Sequence, residues 1–177
     1  MKHDIAPPEL IEYYHSKEAF IERMKIFDPK HTVGDDVIVV GQCPSGWGKN
    51  TYRENEKALQ YTIERVPKYR PRDTYQRMSA WMHAAQQYTW DWQNVIPHII
   101  HAPTDMKYVM KNLLTARIKP YKDKKIITLG NFAANVLTDL GFTNFLPVPH
   151  PSGLNRKLND FEEHLNTIRS IRDYLRA

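Results

Sequence analysis

Short apolar runs alternate along this chain with longer stretches in which apolar residues recur at helical spacing. Residues 36–40, 125–129 and 145–148 are continuous apolar runs, which are typical of strands buried on both faces of a parallel sheet. A further strand is predicted over residues 88–96, where Tyr88, Trp90 and Trp92 alternate and share one side. The apolar pattern therefore predicts four strands.

Helical periodicity fills most of the remaining chain. Helices are predicted over residues 9–27, 51–65, 73–88, 105–118 and 132–140, the last of them ended by Gly141. An apolar stripe on a terminal helix comprises Leu158, Phe161, Leu165, Ile168, Ile171 and Leu175. Strands that alternate with helices predict an α/β protein, a three-layer α/β/α sandwich with a central, mainly parallel four-stranded sheet. We expect one domain over residues 1–177.

Composition narrows the class of protein. Hydrophobic residues at 41% and charged residues at 25% are ordinary for a globular chain, and no apolar stretch is long enough to span a membrane. The single cysteine, Cys43, excludes an internal disulfide and a four-cysteine zinc or iron–sulfur site within one chain. We expect a cytoplasmic monomer without metal or cofactor. The alternatives for its location are association with the nucleoid, or the host cytoplasm if the chain is viral.

The formal net charge of +5 is compatible with a polyanionic partner. Basic residues cluster at 65–72, at 119–125 and along the last helix. Such clusters are usually solvated faces, but the first two contain proline and are predicted loops, where phosphate contacts are often made.

Two predicted strands run into loops rich in glycine and proline. Residues 41–48, Gly-Gln-Cys-Pro-Ser-Gly-Trp-Gly, follow the first strand, and residues 150–156, His-Pro-Ser-Gly-Leu-Asn-Arg, follow the last. Such loops bring backbone close to a ligand, and α/β proteins hold ligands at the carboxyl ends of their strands. The structural alternative for the second loop is an ordinary connection from strand to helix.

These two loops resemble the two signature motifs of the uracil-DNA glycosylase superfamily. Residues 126–130, Ile-Ile-Thr-Leu-Gly, with Ala133 or Ala134 following, resemble the segment that precedes the second motif there. The similarity covers the core from Asp36 to Arg156. It implies hydrolysis of the bond between a base and deoxyribose, after the nucleotide has been flipped out of the DNA into a pocket.

The resemblance also implies roles for individual residues. His150 matches the histidine that stabilises negative charge on the departing base, as an oxyanion hole does. Leu154 matches the leucine that fills the gap in the base stack, although it would otherwise be a surface residue. Ser152, Gly153, Asn155 and Arg156, together with Ser45 of the first loop, would hold the DNA backbone.

The predicted second strand should supply base recognition. An asparagine amide presents a donor beside an acceptor and can match the edge of a pyrimidine, and Asn94 stands where the superfamily often has one. The alternative is that Asn94 only caps the strand. Gly41 would let the base approach the backbone, and Trp47 or Tyr52 would stack on it, unless these aromatics are core residues.

The first motif departs from the superfamily at Cys43, where an aspartate or asparagine often positions the attacking water. A neutral thiol holds water poorly and is a weak base. Water would instead be placed by backbone carbonyls and Gln42, or by another residue such as Asp91 or Asn50. A third possibility is that the protein binds DNA without cutting it. A Cys43 nucleophile is disfavoured because nothing nearby in the sequence would form a thiolate.

Other functions fit the sequence less well. Residues 46–51 only partly match a phosphate-binding loop of a nucleotide kinase, because Cys43 stands where its first glycine belongs. His98 and His101 are three residues apart, which on a strand puts them on opposite sides and disfavours a shared metal. The alternative from another functional class is a noncatalytic DNA- or protein-binding member of the same fold.

Overall fold

The computed structural model contains one parallel sheet with helices on both faces. It describes residues 35–42, 74–96, 104–151, 155, 158 and 160–177. The helices predicted over residues 9–27 and 51–65 lie outside this range, as does most of the first glycine- and proline-rich loop.

Four strands form the sheet: β1 (Val37–Gly41), β2 (Asp91–Asn94), β3 (Lys125–Leu129) and β4 (Leu146–Val148). All neighbouring pairs are parallel, and the order across the sheet is β2-β1-β3-β4. Every residue of β1 is buried, as expected for a strand covered by helices on both faces. The predicted fold class, an α/β protein with a parallel four-stranded sheet and flanking helices, is confirmed.

Helices cover the two faces in pairs. On one face, α1 (Thr74–Ala84) and α4 (Phe161–Arg176) pack on Val37 and Val39. On the other, α2 (Lys111–Ile118) and α3 (Gly130–Asp139) pack on Ile38 and Val40. Adjacent residues of a strand point to opposite faces, so the single apolar run of β1 supplies both cores.

Two predicted helices are shorter in the structure. Residues 105–118 contain a 3-10 turn, Met106–Tyr108, and then α2, which begins only at Lys111. Between them Val109 and Met110 have non-helical backbone angles, and their apolar side chains are buried in the same core cluster as Leu114 and Ile118 of α2. Helix α1 ends at Ala84, and Gln86 follows with a left-handed φ of 66°.

The amino edge of the sheet is tied together by a buried tyrosine. Tyr121 ends a second 3-10 turn, Lys119–Tyr121, and its hydroxyl donates to Asp91 Oδ2, which also accepts from the Asp35 amide at 3.2 Å. Burial, and then the bond to Asp91, raises the pKa of Tyr121. The Asp91 carboxylate therefore has a structural role: it fixes the start of β2 beside β1.

No helix within the described ranges is long and apolar enough to cross a bilayer.

Candidate active site at the carboxyl edge of the sheet

The connections of the sheet diverge between β1 and β3. After β1 the chain reaches α1 on one face and returns to β2, whereas after β3 it enters α3 on the other face and returns to β4. Loops that leave in opposite directions open a crevice outside the carboxyl ends of the two strands, where open α/β sheets bind ligands. The ends of β1 and β3 are neighbours, since Val40 pairs with Thr128.

His150 lies on this crevice. Leu129 pairs with Val148, so the residue that ends β3 and the loop that follows β4 are side by side. A Cβ on Gly130 would lie 2.9 Å from the His150 Cβ and 3.4 Å from its Cδ2. The His150 side chain therefore rests directly on Gly130, with no room for any other residue there. Gly130 also has a φ of 81°, which favours glycine.

Burial lowers the pKa of His150 from its ordinary value of 6.5. The imidazole is then neutral at pH 7 and offers one N–H donor and one acceptor. A neutral donor near the end of β3 can bond a carbonyl oxygen without placing a full positive charge in a partly buried site. This is the property required of a group that stabilises charge developing on a leaving base.

The turn that carries His150 is tethered by a series of hydrogen bonds. Asn155 Nδ2 donates to the His150 carbonyl at 3.1 Å, and the Leu158 amide donates to the Asn155 carbonyl at 3.0 Å. The bond to the His150 carbonyl gives Asn155 a structural role. The turn thus begins and ends at fixed points.

His164 of α4 connects Leu158 to α1 through two further hydrogen bonds. The Trp81 indole N–H is only a donor, so it must donate to His164 Nδ1, at 2.9 Å. The proton of the neutral His164 ring is then on Nε2, which donates to the Leu158 carbonyl at 2.7 Å. Trp81 is 2% exposed, so the turn after β4 is anchored in the core. Nothing in the sequence pattern indicated this pairing.

Asn94 stands at the same edge, two strands away from β3. It ends β2, pairs with Gly41 and is 5% exposed. The Trp92 indole Nε1 donates to Asn94 Oδ1 at 3.2 Å. A Cβ on Gly41 would lie 2.7 Å from this Oδ1 and 2.8 Å from Trp92 Cζ2, so Gly41 makes room for the pair. Gly41 therefore acts here by accommodating these two side chains.

A second set of contacts holds the backbone of Asn94. Gln93, 1% exposed and on the opposite face of β2, donates from Nε2 to the Asn94 carbonyl at 2.7 Å. Arg117 of α2 donates from Nη1 to Gln93 Oε1 at 3.0 Å, and burial lowers the pKa of this arginine. The guanidinium remains charged, and a charge-assisted bond of this kind is stronger than a neutral one.

Gln42 follows β1 at the centre of the edge and is partly buried. Its carbonyl accepts from the Ile96 amide at 2.9 Å, and the Gly41 carbonyl accepts from the Val95 amide at 3.0 Å. These carbonyls continue the ladder between β1 and β2, so they point along the sheet rather than toward a bound water. Of the side chains predicted to place a water, Gln42 is the one that the described residues include at this edge.

The strand register corrects one further prediction and locates a second predicted group. Asp91, an alternative for holding the water, pairs with Ile38 at the start of β1 and is bonded to Tyr121, so it lies at the amino edge. The lysines at 119–125 immediately precede β3 and share that edge, about 17 Å from the carboxyl ends for a five-residue strand. A phosphate bound by these lysines would therefore lie away from His150.

The arginines of the last helix have structural partners. Arg172 donates to the Ala84 carbonyl at 3.0 Å, and Arg176 donates to Gln86 Oε1 at 3.2 Å. Both bonds stabilise the carboxyl end of α1, where the last carbonyls have no partner within the helix. The sequence cluster of basic residues on α4 thus serves helix packing in part.

Several predicted site residues lie outside the described part of the chain: Cys43, Ser45, Trp47, Asn50, Tyr52, Ser152, Gly153, Leu154 and Arg156. The same applies to His98 and His101. Within the described ranges, no three histidine, cysteine, aspartate or glutamate side chains are grouped as metal ligands. The structure brings together Gly41, Gln42, Asn94 and His150, and it adds Trp92 and Gly130 to them.

The strand order separates Asn94 from His150 along the carboxyl edge. Neighbouring strands are about 4.8 Å apart, so the ends of β2 and β3 are separated by about 10 Å across the end of β1. Asn94 stands on one side of this interval, and His150, resting on Gly130, stands on the other.

Burial of His150 predicts a dependence of stability on pH. Because its pKa is lower in the folded chain than in the unfolded chain, the unfolded state binds the proton more readily. The stabilisation is complete above pH 6.5 and is lost as the pH falls toward the lowered pKa. We expect the free energy of unfolding, measured in urea, to fall more in the parent than in His150→Gln as the pH is lowered below 6.5. A difference that is constant from pH 8 to pH 5 would contradict this.

Comparison with models of protein families and with curated proteins finds no match to this chain.

Proposed function

We propose that this chain is a monofunctional DNA base glycosylase that hydrolyses the N-glycosidic bond of a flipped-out, uracil-like or modified pyrimidine nucleotide. The observation that carries the proposal is the position of His150 on Gly130, at the point where the connections of the sheet diverge and two strands from the end that holds Asn94. The resemblance of the two loops to the uracil-DNA glycosylase superfamily supports it.

The chemistry follows from the groups at the edge. As the bond between C1′ and the base nitrogen breaks, the sugar becomes cationic and the base becomes anionic. The neutral His150 N–H donates to a base carbonyl and stabilises the anion, while the Asn94 amide holds the opposite edge of the ring. A water oxygen then bonds to C1′, and its proton ends on the departing base.

Water attack on a cationic sugar needs an oriented nucleophile more than a strong base. The Gln42 side chain can orient a water by hydrogen bonds but cannot remove a proton at neutral pH. The described residues that end the four strands include no carboxylate, and Cys43 occupies the position where the superfamily often has one. We therefore propose an enzyme without a carboxylate base at the first motif, which would cut more slowly than one that has such a base.

The missing carboxylate also favours a second candidate. A protein with the same fold that binds a modified base without cutting needs the recognition side chains but no activated water. In this function Asn94 and the turn at His150 would serve affinity alone. The two candidates make opposite predictions about bond cleavage and the same prediction about binding.

One experiment separates them. The full chain is incubated with single- and double-stranded oligonucleotides that carry uracil, hydroxymethyluracil or a mismatched base at one position, and the products are then heated in alkali. A glycosylase leaves an abasic site that alkali converts into a strand break at that position. Binding in a mobility-shift assay without breaks on any of these substrates would overturn the enzymatic proposal in favour of the binding module.

A further inference from the structure

The hydrogen bond between Trp92 and Asn94 fixes the direction of the Asn94 amide. An indole N–H can only donate, so the atom that faces it must be the oxygen Oδ1, and Nδ2 with its two N–H donors must point elsewhere. A rotated amide would place N–H against N–H and lose the bond. The chain therefore sets an orientation that an isolated asparagine does not have.

The surroundings resist rotation of this amide. Gly41 presents no Cβ, which lets both side chains approach its backbone, and Trp92 packs on the core formed by α1 and α4. Gln93 and Arg117 hold the Asn94 backbone from the other face of the sheet. Asn94 is 5% exposed, and leaving Oδ1 without its indole partner in so buried a position would cost free energy.

A fixed amide selects among bases by the order of donors and acceptors on their edges. Nδ2 can donate to a carbonyl oxygen, and the second lone pair of Oδ1 can accept from an adjacent ring N–H. A uracil-like base presents a carbonyl beside an N–H, whereas cytosine presents an amino group beside an unprotonated ring nitrogen. The held orientation matches the first and opposes the second.

We propose that Trp92 is a positioning residue that determines specificity: by holding Oδ1, it makes Asn94 select bases with a carbonyl at the recognised edge and reject those with an amino group. This inference rests on the proposed function, since it takes Asn94 as the group that meets the base. It assigns to Trp92 a role in choosing the substrate rather than in bond cleavage.

The test compares uracil with cytosine in the parent and in Trp92→Phe. The measured quantities are the single-turnover cleavage rates of oligonucleotides that contain uracil or cytosine, and the dissociation constants of the two free bases. Loss of the indole bond should lower the preference for uracil about tenfold, as expected for one hydrogen bond of about 1.4 kcal/mol. Trp90→Phe is the matched control, because Trp90 packs on the same core but makes no hydrogen bond to Asn94, and it should keep the preference.

An independent measurement separates failure of this inference from failure of the proposed function. Hydrogen exchange of the Trp92 indole should be slow in the parent and should accelerate in Asn94→Leu, while the Trp81 indole, bonded to His164, stays protected. Unchanged exchange, or an unchanged preference in an active Trp92→Phe, overturns the role of Trp92. If exchange of the Trp92 indole accelerates in Asn94→Leu but the parent cuts no substrate, the hydrogen bond that orients Asn94 is supported and the proposed glycosylase activity is overturned. If Trp92→Phe does not fold, a benzothiophene analogue of tryptophan removes the N–H with little change of shape.

Discussion

Replacing His150 with alanine should lower the single-turnover rate of base removal by about 10²–10³-fold, the effect of deleting one donor from a preorganised oxyanion site. The binding constant for the same DNA should change much less. His150 bonds an oxygen that becomes strongly negative only as the base departs, so its contribution belongs to the transition state. The rate is measured with saturating protein on the best substrate found in the alkali assay.

Two further variants serve as controls for this result. His83→Ala removes an exposed histidine near the end of α1, at the other edge of the sheet, and should cut as the parent does. His150→Gln keeps a donor with altered reach and should fall between the parent and the alanine variant. A His150→Ala protein that folds and cuts at the parental rate would remove His150 from the mechanism.

The sheet could be predicted from the sequence because buried parallel strands are continuous apolar runs. β3 occupies the predicted residues, and β1 is displaced from the prediction by one residue. Gly141 ends α3 with a φ of 86°, as its place after the apolar periodicity indicated. In each case one local feature of the sequence determines the element, so no knowledge of the rest of the fold is needed.

The errors arose where distant contacts decide the local structure. Val109 and Met110 fit a helical pattern, yet burial under α2 draws them out of it. Tyr88 alternates with the two tryptophans but precedes β2 and is 67% exposed, whereas Trp90 and Trp92 both pack on the core. Alternation shows which residues share a side but not where the strand begins.

In the candidate site, too, local features could be predicted from the sequence and long-range contacts could not. That Trp92 and Asn94 share a side follows from their spacing of two, but their hydrogen bond depends on the missing side chain of Gly41 in the neighbouring strand. Asp91 was named with Asn50 as an alternative for placing the water. Three residues of extended chain carry it to the opposite edge, where Tyr121 bonds it. Strand register and strand order place the Asp91 carboxylate and the Asn94 amide at opposite edges of the sheet. No local sequence pattern specifies either of them.

Gly130→Ala should both destabilise the chain and lower the rate of base removal about 100-fold. A left-handed φ costs a residue with a Cβ about 1–2 kcal/mol. The new methyl group would also lie 2.9 Å from the His150 Cβ, and relief of that overlap should cost about a further 1–3 kcal/mol. His150 must move to make room, and a displacement of about 1 Å at a reacting centre can lower a rate about 100-fold.

Gly141→Ala isolates the backbone contribution. Gly141 has nearly the same φ, 86°, but a Cβ there meets nothing within 4 Å, so this variant should lose about 1–2 kcal/mol and keep its rate of base removal. The difference between the two variants in urea unfolding then measures the contact between Gly130 and His150. Adding His150→Gly to Gly130→Ala removes the overlapping Cβ, and the double variant should be more stable than the sum of the single effects predicts. Strict additivity, or equal stability and equal activity of the two glycine variants, would show that His150 does not rest on Gly130 and would remove the geometric basis for the proposed active site.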